Sequence, residues 1–469
     1  MQLVSSNVVT KSMDIRHKAT LSFYGGVGSV TGANFLLAGE HTRLLVDCGL
    51  VQGEKFAMEM NKEPFAYDPT SIDYLLVTHA HIDHVGRIPK LVRDGFKGKI
   101  LSTPQTLDLS RLMLPDAFSV LRSELPPGAE PLYDEKDIER AFSLWEARDY
   151  HQPFSVGEFE VVMKDSGHIL GSAMFRITYP GGKRAIVFTG DLGNTPTPLL
   201  KPAETVTDTT YMVMESVYGD RNHEGGERRK ERLAEVIQAA VARGGVLLIP
   251  CFSLEKTQVL LYEMDDLLAQ GKIPKVPVFL DSPLAIKVTD VYRAYSSELN
   301  DEAKKQTESG DDIFKFPSLR VTGDAHDSAS IVHTPNPKII IAGSGMSAGG
   351  RILDHERRYL GDPQNTILFI GYQAVGGLGR HIQEGVKHLT IKHEQVKVRA
   401  HIETITGYSS HKDSEHLVEF ASAGADSFEK IFVVMGEPKS ALFLSQRIKD
   451  YLDVDTHVPE MGESVEIEL

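Results

Sequence analysis

Up to about residue 205 the chain is punctuated by short apolar or β-branched runs, LSFYGG, ANFLLAG, TRLLVDCG, DYLLVTHA, FEVVMKDSG, AMFRITYP and RAIVFTGD, broken by Gly, Asp or His. Such runs predict strands, and the continuous ones, YLLV and AIVF, suit strands covered on both faces. Between them, HVGRIPKLVRDG, PQTLDLSRLML and the stretch around DEKDIERAFSLWEA carry apolar residues at helical spacing. Layered α/β structure follows. From about 210 the rhythm becomes strand, helix, strand: TYMVMES, GERRKERLAEVIQAAVARGG, VLLIP, LEKTQVLLYEMDDLLAQG, VPVFLDSP. It continues through KIIIAGSG and TILFIGY to VKVRAHIETITGYSSH, then a helix at KDSEHLVEFASAG, a strand at KIFVVMGEP and a helix at KSALFLSQRIKDYL, which predicts a doubly wound unit. Residues 296–336, polar and rich in Pro and Asp, are expected to form an irregular surface excursion.

At 469 residues the chain is too long for one compact core. With 41% apolar, 25% charged and 8% aromatic residues it is excluded from the disordered, fibrous and membrane classes. The 50 Lys+Arg against 65 Asp+Glu give −15, a field that repels polyanions, so any nucleic-acid site must be locally cationic, for instance through a metal. Cys48 and Cys251 are the only cysteines, too few for a disulfide framework or a thiolate knuckle, which points to a reducing compartment and leaves metal binding to His and carboxylates. The N-terminal MQLVSSNVVTKSMDIRHKAT lacks a signal-peptide core, and no run reaches the roughly 18 apolar residues of a membrane span, so the expected location is the cytoplasm.

The densest chemistry is His79-Ala80-His81-Ile82-Asp83-His84, directly after the apolar DYLLV. At an extended strand end, side chains i and i+2 point the same way, so His79 and His81 should converge, with Asp83 and His84 in the turn before a helix. Three imidazoles and a carboxylate buried without a cation would leave polar groups unpaired. His168 in DSGHILGS and Asp191 in FTGDLG repeat the same topology, a ligand just past an apolar strand. Gly167, Gly171, Gly190 and Gly193 would let the backbone bend close to a metal. The nitrogen and oxygen set suits zinc.

In order and content HAHIDH, the earlier Asp47 in LLVDCG, GHILGS and FTGDLG resemble the motifs of the metallo-β-lactamase superfamily. Downstream, ESVYGDR, IPCFSLEKTQ, LDSPLA, AGSGMSAGGR and YSSHKD resemble its β-CASP branch, whose members cut nucleic acids and include cleavage-and-polyadenylation endonuclease subunits and compact prokaryotic ribonucleases. The resemblance implies a metallo-β-lactamase αββα sandwich, residues 1–210 and 405–469, with an inserted doubly wound β-CASP domain at 211–404. It further implies that His79, His81 and His168 hold one zinc, Asp83 and His84 a second, and Asp191 bridges. Asp83, His411 and Glu215 are the implied catalytic groups, His411 as general acid supported by Glu215. One position departs from the family: where its third β-CASP motif carries a ligand histidine, this chain has Met435 in Val434-Met435-Gly436, a thioether ill suited to zinc, so the second site loses a ligand.

Two neighbouring cations would clamp a phosphate and generate hydroxide at neutral pH, which fits in-line hydrolysis of a phosphodiester. Lys256, Arg351, Arg380 and Lys412 are candidates for flanking phosphates. The glycine-rich GSGMSAGG, including Ser344 and Gly345, is a candidate phosphate nest. A cleft under the inserted domain would admit a single strand better than a duplex. The expected activity is therefore a zinc-dependent nuclease on single-stranded RNA, with a homodimer among the expected assemblies and no membrane partner. Met435 motivates a DNA or mixed-substrate alternative, and a non-catalytic scaffold of a processing complex is the alternative from another class.

Overall fold

The computed structural model describes residues 16–53, 56–126, 128–223, 226–371, 373 and 376–469, so the signal-peptide reading of the first fifteen residues lies outside the described residues. Among the described residues no helix is long and apolar enough to cross a membrane.

Two seven-stranded sheets lie face to face. The first runs in the order Ser464–Glu468, Lys18–Gly25, Asn34–Ala38, Arg43–Val46, Tyr74–Leu76, Lys99–Ser102, Trp145–Ala147; the second Thr456–His457, Lys430–Val434, Tyr211–Glu215, Ala185–Phe188, Ala173–Thr178, Phe159–Asp165, Phe154–Val156. Their inner faces share one apolar layer, in which Phe23, Phe35 and Val46 meet Phe175, Phe188 and Phe432. Burying side chains of this size contributes roughly 1.5–3 kcal/mol each. Alternate residues of the same strands face outward: Leu45, Leu75 and Val77 pack against Val85, Leu91, Leu114 and Ile138, and Val187, Met212 and Ile431 against Leu417, Phe420, Leu444 and Ile448. Helices therefore cover both outer faces, giving the αββα arrangement.

A third, all-parallel sheet orders Leu319–Val321, Val278–Asp281, Lys338–Ala342, Val246–Pro250, Thr366–Phe369 and His401–Thr404. Its four central strands are buried on both faces because both are covered. In the run Val246-Leu247-Leu248-Ile249, Leu247 and Ile249 enter one cluster with Leu260 and Met264, whereas Val246 and Leu248 enter the other with Ile352 and Ile382. This is a doubly wound unit.

Three expectations require correction. Tyr211–Glu215, read as the first strand of the inserted unit, is a central strand of the second sheet, parallel to both Ala185–Phe188 and Lys430–Val434; an apolar strand does not announce which sheet it joins. The helix around 135–147 ends at Ser143, and Trp145–Ala147 is the edge strand of the first sheet, with the indole N–H of Trp145 donating to Ser102 Oγ at 2.9 Å. The 296–336 excursion holds helices at Asp301–Glu308 and Ala325–Ser330 and the edge strand Leu319–Val321. Leu299, Ala303, Ile313, Phe314 and Phe316 anchor it in the core, and their wide spacing hides them from any periodic reading, while Val321 and Val332 stay exposed.

Candidate metal centre

His79 follows the strand Tyr74–Leu76, and His81 caps the short helix Ile82–Val85 whose first turn carries Asp83 and His84. His168 stands in the turn between Phe159–Asp165 and Ala173–Thr178, and Asp191 just past Ala185–Phe188. These turns sit at one end of the sandwich. The glycines there serve loop-on-loop contact: a Cβ on Gly193 would lie 1.8 Å from the Gly167 carbonyl oxygen, and one on Gly171, at φ +81°, 2.5 Å from Gln105 Cβ. Thr103 and Thr106 both donate to the Gly171 carbonyl, at 2.7 and 2.9 Å, fixing the His168 turn to the helix Pro104–Glu124.

Four donor atoms converge. His79 Nε2 and His81 Nδ1 are 3.1 Å apart, His168 Nε2 and His81 Nδ1 3.3 Å, and Asp191 Oδ2 lies 3.4 Å from His79 Nε2 and 3.5 Å from His168 Nε2. A tetrahedral ion with bonds of about 2.0–2.1 Å separates its ligand atoms by about 3.3 Å. On the other carboxylate oxygen, Asp191 Oδ1 faces His84 Nε2 at 3.4 Å, and Asp83 Oδ2 stands 3.8 Å from that nitrogen. Both His84 Nε2 and Asp191 Oδ1 are buried without a hydrogen-bond partner. Orphaned buried donors and acceptors of this kind are expensive unless a ligand completes them. The set fits divalent metal at two adjoining positions with Asp191 between them.

The rings are aimed from behind. Asp47, buried at φ +58°, accepts from the Thr78 amide at 2.8 Å and from His84 Nδ1 at 2.7 Å, and takes the Thr78 hydroxyl proton at 2.8 Å. With its proton committed to Asp47, Thr78 Oγ1 accepts from His79 Nδ1 at 3.0 Å. One carboxylate thus turns both Nε2 lone pairs inward. His168 Nδ1 donates to the Ser410 carbonyl at 3.3 Å, with the same result. Burial pushes His81 and His168 well below the usual histidine range, keeping them neutral donors. Burial works against the charge on Asp191, but His84, His411 and His79 hold it well below the usual carboxylate range.

His411 joins from a distant part of the chain. Its turn is sewn to the Asp191 turn by a bridge with Gly193, by Asn194 N–H to the Ser410 carbonyl and by Lys412 N–H to the Leu192 carbonyl, each hydrogen bond at 2.8 Å. Its Nδ1 lies 3.2 Å from Glu215 Oε1, which also accepts the Leu192 amide at 2.7 Å. Glu215 is fully buried at its strand end. Burial opposes a charged His411, yet Glu215 and then Asp191 raise its pKa above the usual value.

The structure brings together His79, His81, Asp83, His84, His168, Asp191, Glu215 and His411. Met435 is elsewhere in character: buried in the sandwich core, its sulfur occupies the space a Cβ on Gly26 would need. Arg351 and Arg380 are committed to partners. Arg351 donates to Asp281 at 2.7 Å and to the Thr322 carbonyl at 2.9 Å, and Arg380 to Glu384 at 2.7 Å. In the glycine-rich loop the Ser344 amide is taken by Gly349, the Ser347 amide by the Ser344 carbonyl and the Ala348 amide by Ser344 Oγ, while Gly345 offers its carbonyl to Gln373. Sequence reasoning noted Asp47 in a motif without assigning its orienting role, and missed His223, whose Nε2 lies 3.1 Å from the His411 carbonyl. The strand-end position of Asp47 was the available signal; nothing in the sequence marks His223.

Comparison with known proteins yields three matching family profiles: metallo-beta-lactamase superfamily over residues 28–213, Beta-Casp domain over 257–382, and Zn-dependent metallo-hydrolase RNA specificity domain over 395–459. Ribonuclease TTHA0252 of Thermus thermophilus is 33% identical over 424 residues, covering 90% of this chain and 94% of that protein. Transcription termination factor FttA of Thermococcus kodakarensis is 30% identical, covering 100% of this chain and 74% of its own length. A crystal structure of a protein of unknown function from Enterococcus faecalis V583 shares the fold at TM-score 0.55 and 12% identity, covering 96% of this chain and 100% of that one.

Proposed function

The chain belongs to the β-CASP branch of the metallo-β-lactamase superfamily and is a metal-dependent nuclease, and from that premise we propose that it hydrolyses single-stranded RNA at two adjoining zinc positions. The spacing of His79, His81, His168 and Asp191 at the edge lengths of a tetrahedral ion carries this reading. A ribonuclease and a transcription termination factor among the relatives, and a profile described as an RNA specificity domain over 395–459, support RNA as the substrate.

His79, His81 and His168 would hold the first ion, Asp83 and His84 the second, with Asp191 shared. When bound, the ions supply Lewis-acid polarisation of the phosphate and a nucleophile at neutral pH. Glu215 accepts the hydrogen bond from Nδ1–H of His411, leaving Nε2–H to deliver its proton to the departing 3′-oxygen. Glu215 and Asp191 raise the proton affinity of that ring, which favours its acid form. The cleft between the sandwich and the inserted unit, lined by His168, Asn194, Lys256 and Ser410, receives the strand.

The test combines metal analysis of the purified chain with cleavage of matched RNA and DNA single strands, with and without chelator. Zinc with chelator-sensitive RNA cleavage is the expected result; intact RNA with zinc-loaded protein would overturn the reading, and faster DNA cleavage would reassign the substrate. In the same assay His81→Ala should lose metal and activity together, whereas His411→Ala should keep metal and cut ~10²-fold more slowly or worse.

A further inference from the structure

Arg351 is committed to the buried Asp281, Arg380 forms a surface pair with Glu384, and Lys412 donates to Thr195 Oγ1 at 3.2 Å. Lys256 differs from them. It opens the helix Lys256–Ala269, and among the described residues its ammonium has no hydrogen-bond acceptor and no carboxylate partner; it stands 4.9 Å over the Phe252 ring. The neighbouring Glu255 supplies no counter-charge. Its carboxyl is buried, accepts the Tyr292 hydroxyl and is pushed up by burial to about 8, so it is uncharged at neutral pH. A desolvated cation without a counter-ion is costly, and such groups persist where an anion completes them.

Its surroundings say where that anion lies. Lys256 lines the same cleft as His168 and Ser410, close enough for its charge to act on both His411 and His223. On its other side, Phe252 carries Gly345 of the glycine-rich loop, where an added Cβ would come within 2.4 Å of the ring. The ammonium itself lies against Gly371, whose Cβ would be 3.0 Å from Nζ. Lys256 therefore stands between the metal centre and the glycine-rich loop, its ammonium without a hydrogen-bond acceptor among the described residues. In a chain of net charge −15 it is a local exception.

We infer that Lys256 binds the phosphate of the nucleotide next to the scissile bond, on the side of the glycine-rich loop, so that efficient cleavage requires a phosphodiester flanked by a second phosphate. This rests on the nuclease reading above and names how that site selects its substrate.

The experiment compares wild type with Lys256→Gln and Lys256→Arg on single-stranded RNA and on bis(4-nitrophenyl) phosphate, which has no flanking phosphate. Binding is read separately by anisotropy of a labelled oligoribonucleotide in a His411→Ala background. Lys256→Gln should weaken RNA binding and raise KM roughly tenfold or more, lower the log Kd against log salt slope by about 0.7, and cost RNA cleavage at least about fivefold more than hydrolysis of the small diester, which registers only the effect of the lost charge on His411. Lys256→Arg should recover most of the loss. A single methylphosphonate walked along the RNA should hurt wild type most at one position beside the cut, and at that position add nothing to Lys256→Gln. Unchanged binding and salt slope, equal losses on both substrates, or additive losses at every methylphosphonate position would each overturn the inference. Wild-type protein that binds RNA with this slope but hydrolyses neither substrate would sink the nuclease reading while upholding the Lys256 contact.

Discussion

Asp47 acts on two rings, accepting a hydrogen bond from His84 Nδ1 directly and, by accepting the Thr78 hydroxyl, fixing Thr78 Oγ1 as the acceptor for His79 Nδ1. Asp47→Asn keeps the side-chain shape and tolerates the left-handed backbone, yet it removes the charge that orients both donors. Metal affinity should fall about 10–100-fold, measured by competition with a chromophoric chelator, while the circular dichroism of the protein stays unchanged. At this scale the sequence was informative wherever donors were neighbours. His79, His81, Asp83 and His84 could be read because strand alternation and one turn dictate their convergence. The hold of Asp281 and the Thr322 carbonyl on Arg351 could not be read there, because both lie far from it in sequence.

The turn that presents His411 is held from the inserted unit. Arg229 and Glu263, on the helices Gly226–Ala242 and Lys256–Ala269, form a buried ion pair; Arg229 also donates to the Gly407 carbonyl at 3.0 Å, and the Tyr408 hydroxyl donates to Glu263 Oε2 at 2.5 Å. Breaking a buried pair by removing one charge costs about 3–5 kcal/mol because the other is stranded. Glu263→Gln should therefore lower the melting temperature and, by freeing residues 406–411, slow cleavage while bound metal stays at the wild-type level. A variant that melts early yet cuts at the wild-type rate would dissociate this network from His411. Elements with one strong periodicity, such as Pro104–Glu124 or the strand Val246–Pro250, were legible in the sequence. The assignment of Tyr211–Glu215 to a sheet was not, since pairing partners at 185–188 and 430–434 are settled by topology and not by local pattern.

Across the whole molecule the sandwich and the inserted unit share apolar packing: Leu109, Ile169 and Leu199 lie in one cluster with Leu260, Val288 and Tyr292. Buried carboxyls accompany it. Burial raises Glu255 to about 8 and Glu356 to about 7, so both bind their proton more tightly folded than unfolded. The stability they contribute is full below the unfolded glutamate pKa of about 4.3 and is lost as pH climbs through 7 and 8. The melting temperature is expected to fall between pH 6 and 9, with a shallower slope in Glu255→Gln, as read by scanning calorimetry. Finally, the strands at 430–434 and 464–468 insert beside segments made hundreds of residues earlier, and His411 precedes them only narrowly. His411 therefore meets the donors gathered at 79–191 only after the intervening inserted unit has been made. Chain order thus makes the complete centre a late product of folding, assembled only when the second sheet has closed around the strands at 211–215 and 430–434.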